Sequence, residues 1–74
     1  MRLTELASDL EALRTDIADE LLAINRYEQQ TYTLTDEEPR ECVARILDER
    51  KQHVALLLGQ LRRLDPKQRE KLDR

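Results

Sequence analysis

Leu3, Leu10, Ile17, Ile24 and Thr31 recur at seven-residue intervals, and Leu6, Leu13, Glu20, Tyr27 and Leu34 form a second register three positions on. All but Glu20 and Thr31 are apolar or aromatic, which is the pattern of a helical seam. No Gly or Pro interrupts the stretch, so it predicts a first helix over about residues 3–33. The segment Thr35-Asp36-Glu37-Glu38-Pro39 breaks the pattern. Thr35 and Glu38 have capping-box spacing, the acids suit a helix N-terminus, and Pro39 is tolerated in a first turn. A second helix is expected over about residues 37–64, returning antiparallel because the connection is short. Its apolar stripe runs through Val43, Ile46, Leu47, Val54, Leu57, Leu58, Leu61 and Leu64. That face is wider than a two-stranded seam needs and suits a bundle of more than two helices. Gly59 lies inside it, either tolerated toward solvent or admitting a close backbone approach. Asp65-Pro66 ends this helix and can cap a short polar one over about residues 66–73.

Composition narrows the fold class to all-α. The 74 residues are 39% charged and contain no Trp or Phe. That is the make-up of long amphipathic helices in one small domain, spanning residues 1–74. A single Cys42 excludes an internal disulfide, and no Cys cluster suggests a zinc finger. No apolar run reaches membrane-spanning length, and a net charge of −3 argues against general nucleic-acid binding. The expectation is a cytoplasmic protein with neither a membrane nor a nucleic-acid partner. A lone hairpin buries only a thin seam, so a metal or a partner chain is needed to complete it.

Two polar residues break the seam. Glu20 is flanked by Leu13, Ile17, Ile24 and Tyr27, and His53 stands between Ile46 and Leu57, preceded by Glu49 and Arg50. A buried carboxylate must be paired, metal-bound or protonated. At about 1.5 Å per residue, Glu20 lies as far before the turn as Arg50 and His53 lie after it. All three therefore share one level of an antiparallel hairpin. Two hairpins related by a two-fold axis would gather two Glu20 and two His53 at that level, a constellation used by di-iron sites in bundle cores. The alternative is structural: a Glu20–Arg50 ion pair that fixes register, with His53 as a hydrogen-bonded seam residue.

The ordered set Glu20, Tyr27, Asp36-Glu37, Asp48-Glu49-Arg50-Lys51-Gln52-His53 and Leu61-Arg62-Arg63 resembles the encapsulated ferritins. These are half-length members of the ferritin-like and rubrerythrin superfamily. The resemblance implies a two-helix chain that dimerises into a ferritin-like four-helix bundle. It further implies a di-iron ferroxidase centre between chains, ring-like higher assembly and residence inside an encapsulin nanocompartment. By position, Glu20 would bridge two irons, His53 would ligate, and Tyr27 would stand nearby. The family motif is Glu-x-x-His, and here Arg50 takes the Glu position. Glu49, four before His53, is the substitute ligand under this reading. Residues Lys67 to Arg74 show no apolar tail of the kind that enters encapsulins.

The metal reading therefore expects iron on Glu20, Glu49 and His53, with Tyr27 and Arg50 alongside. It describes a homodimer or larger ring that oxidises Fe(II) for storage or detoxification. The competing expectations are a metal-free module of the same fold, with Arg50 paired to Glu20, and a helical adaptor unrelated to ferritins. Ser8 has no His nearby to form a nucleophile. Cys42 is expected as a small packed residue, or less simply as an activated thiol. Arg62-Arg63 complements the helix dipole, and Asp36-Glu37-Glu38 reads as capping acids.

Overall fold

A computed structural model describes residues 2–73. Helix α1 spans Leu3–Thr33, α2 spans Glu37–Leu64 and α3 spans Pro66–Leu72. The first two pack antiparallel along their length, and α3 folds against α2 alone. The hairpin and the short third helix follow the expected ranges, with α3 ending at Leu72.

The caps explain the boundaries. The α2 N-cap is Asp36, whose Oδ1 accepts the Glu38 N–H at 3.0 Å. This corrects the expected Thr35 capping box. A carboxylate directly before the first helical residue reaches an unsatisfied first-turn N–H, and Thr35 lies one position too early. Pro39 sits within the first turn, where its missing N–H breaks no intrahelical bond. Asp65 serves two helices at once. Its backbone N–H closes α2 on Leu61 at 2.9 Å, and its Oδ1 accepts the Gln68 N–H of α3 at 3.2 Å. Pro66 follows as the first residue of α3. The Arg14 guanidinium donates to the second oxygen of Asp65 at 2.8 Å, tying α1 to this corner. Arg62 pairs with Asp73 and holds the far end of α3 near α2.

The molecule is a slab with extents of 51 × 25 × 13 Å. Among the described residues only Leu61, 2% exposed, is fully buried. The other seam positions of both helices are half-covered, and Leu3, expected in the seam, is exposed because α1 begins beyond the reach of α2. Leu22 and Leu56 are exposed by 68% and 61%. One layer of helix against helix cannot enclose a core, because each helix turns half its apolar arc away from its neighbour.

Candidate functional site

Near mid-length, α1 presents Glu20 toward α2. Its side chain is 15% exposed. Arg50 Nη1 donates to Glu20 Oε1 at 2.9 Å. His53 Nδ1 stands 3.5 Å from the other oxygen, Oε2, which is buried and accepts no hydrogen bond. The same level was expected from the sequence, and the helical rise of both strands of the hairpin places these three side chains together. A carboxylate in this half-dry seam is retained because a guanidinium supplies the countercharge and a charge-assisted bond. The reciprocal effect is on Arg50, whose proton is held more tightly than usual, chiefly through its hydrogen bond to Glu20.

Tyr27 lies two turns along α1. The Arg26 guanidinium donates to its hydroxyl at 3.3 Å and sits 4.9 Å from the ring centroid, and Arg50 lies 5.9 Å from the same ring. Cationic groups at this range favour the phenolate and the ring face alike. The Tyr27 phenol is accordingly lowered below its ordinary value, first through the Arg26 hydrogen bond. Sequence reading missed Arg26. Its only signal was adjacency to Tyr27, and neighbours in a helix do not normally face each other.

An open groove of about 510 Å³ lies beside the pair, lined by Asp16, Asp19, Glu20, Arg50, His53 and Leu56, with Leu57 also contributing. His53 is half exposed at its edge rather than seated in the apolar stripe. Glu49 is exposed and does not line the groove. It is turned about 100° around α2 from Arg50, so the helix that brings Arg50 to Glu20 carries Glu49 away. Cys42 is exposed, against the expectation of a packed residue, because α2 turns it off the seam near the turn end.

Glu20 and His53 are ligand types that iron accepts. Among the described residues, however, no three His, Cys, Asp or Glu side chains converge where a metal ion could sit. One oxygen of Glu20 is engaged by the Arg50 cation. Within one chain the residues do not fit a di-iron centre. Among the described residues no helix is long and apolar enough to cross a membrane.

Comparison with known proteins adds two findings. A family model described as EncFtn-like matches residues 1–74. The crystal structure of protein ne0167 from Nitrosomonas europaea superposes with a TM-score of 0.87 at 31% identity, covering 90% of this chain and 74% of that one. No curated protein matches the chain.

Proposed function

The chain belongs to the EncFtn-like family, of ferritin-like fold, and from that premise we propose that it works as a self-pairing hairpin whose Glu20–Arg50 ion pair stands in place of a metal centre. The observation that carries this reading is the 2.9 Å contact of Arg50 with Glu20 at the level where the family resemblance puts the metal. Charge bookkeeping supports it. The charges of Glu20 and Arg50 cancel, so that pair by itself calls for no added cation. Such an ion pair sets the register of pairing, as single polar residues do in coiled coils.

A second reading keeps iron oxidation for storage or detoxification at a site between chains. The observation that favours it is the buried, unpartnered Oε2 of Glu20 facing His53. It requires Arg50 to release Glu20, and Glu49 to rotate inward.

Native mass spectrometry after anaerobic Fe(II) addition separates the two. The expected result is a pair that carries no iron and is indifferent to chelator. Two irons per pair, lost in Glu20→Ala and in His53→Ala, would overturn it in favour of the ferroxidase. Residence in an encapsulin shell is a separate proposal, drawn from the family resemblance, and co-purification with a co-expressed shell protein checks it.

A further inference from the structure

We propose that Arg26, Arg50 and the Tyr27 hydroxyl form a binding site for a phosphate group, either free phosphate or the phosphoryl end of a small molecule. All three residues belong to one chain, so the site does not depend on how copies pair.

The sequence leaves Arg26 without an acid beside it. The positions that neighbour it on the surface of α1, three and four residues away, are Leu22, Ala23, Gln29 and Gln30. Arg50 stands likewise on α2, flanked at those spacings by Ile46, Leu47, His53 and Val54. The carboxylate it holds is Glu20, reached across the seam at 2.9 Å. Among the described residues Arg26 makes no ion pair, although the chain has sixteen acids against thirteen basic residues. Arg14 and Arg62, by contrast, each hold a carboxylate distant in sequence, Asp65 and Asp73.

Arg26 holds the phenol instead. Its Nη2 donates to the Tyr27 hydroxyl at 3.3 Å, and the guanidiniums of Arg26 and Arg50 lie 4.9 and 5.9 Å from the centroid of one ring. Glu20 cancels Arg50, so the cluster keeps the charge of Arg26, at an exposed arginine beside a half-buried tyrosine. The lowered Tyr27 phenol reports the same excess, since both cations, Arg26 first, favour the phenolate. A bound anion takes up that charge and leaves the phenol protonated, with its hydroxyl able to donate.

The donor set selects the ligand. A guanidinium carries five N–H donors in a planar fork. Arg50 spends one on Glu20, and Arg26 spends one on Tyr27. A carboxylate is satisfied by a single fork. A phosphate group has oxygens on several sides and a charge of about −1.5 to −2, which suits two guanidiniums and a hydroxyl together.

Inorganic phosphate and glycerol phosphate, each titrated into the protein at fixed ionic strength, test the site, with the arginine Nε–H resonances followed by NMR. Chloride and acetate serve as reference anions. The expected result is a saturable shift of the Arg26 and Arg50 signals with phosphate, with glycerol phosphate or with both, against small linear drifts for the references. The tighter of the two phosphates identifies the source of the group. Arg26→Gln should weaken binding about tenfold, and Tyr27→Phe, which keeps the ring and loses the hydroxyl, should weaken it less. Arg26 is exposed, so glutamine there leaves the fold intact. Saturating phosphate should also move the Tyr27 titration upward, because an anion opposes the phenolate. Shifts that never saturate, acetate binding as tightly as phosphate, or undiminished binding in Arg26→Gln would each overturn the proposal.

Discussion

The two oxygens of Glu20 have different company. Oε1 accepts from Arg50, and Oε2 is buried with His53 nearby and no hydrogen bond. Removing Arg50 strands a mostly buried carboxylate, whereas removing the carboxylate leaves Arg50 free to reach water along its flexible stem. Arg50→Ala should therefore lower the urea midpoint more than Glu20→Leu does. The double variant Glu20→Leu/Arg50→Leu should recover most of the loss, since apolar residues replace buried ion pairs well. Equal losses in the two single variants would contradict this asymmetry. Tyr27 supplies a second test at this scale. Its phenol is depressed chiefly by Arg26. A phenol lowered on folding adds stability that is fully present above the unfolded value of about 10 and is lost as pH falls through the folded value. At neutral pH it contributes nothing. Ultraviolet titration should show one phenolate forming early, absent in Tyr27→Phe, and Arg26→Gln should move that titration upward.

Among elements, the corner at Asp65 concentrates the most roles in one side chain: it caps α3 and holds Arg14 of α1. Asp65→Ala should cost about 1 kcal/mol for the cap and up to about 1 more for the exposed ion pair. Asp36→Ala, which loses a cap alone, should cost only about 1 kcal/mol. Chemical denaturation compares them directly. Gly59 offers an opposite case. A Cβ built there meets nothing within 4 Å in the hairpin. Gly59→Ala should raise helix stability by about 1 kcal/mol, unless a partner's backbone approaches that point, in which case pairing weakens instead. The helices were legible in the sequence because heptad spacing, the absence of Gly and Pro, and the Asp65-Pro66 signal all point one way. The Glu20–Arg50 level was legible too, since it needs only helical rise. What was not legible depends on side-chain rotation. The helix carries Glu49 outward, Arg26 folds back over Tyr27, and the carboxylate of Asp36 outcompetes the hydroxyl of Thr35 by position alone.

The whole molecule is a plate 13 Å thick with a single fully buried side chain among its described residues. Such a plate buries too little apolar surface to offset the entropy of ordering its chain. Its unfolding midpoint should therefore rise with protein concentration, as mass action requires when association favours the folded form. A midpoint that stays fixed across a hundredfold dilution would show that the hairpin stands alone. The thinness also bears on the life of the protein in a cell. If copies pair as proposed, a newly made copy that has not yet met another is the form open to proteolysis, and a paired copy is protected. The abundance of the protein should then follow a threshold, with copies cleared below it and accumulating as assembled pairs above it.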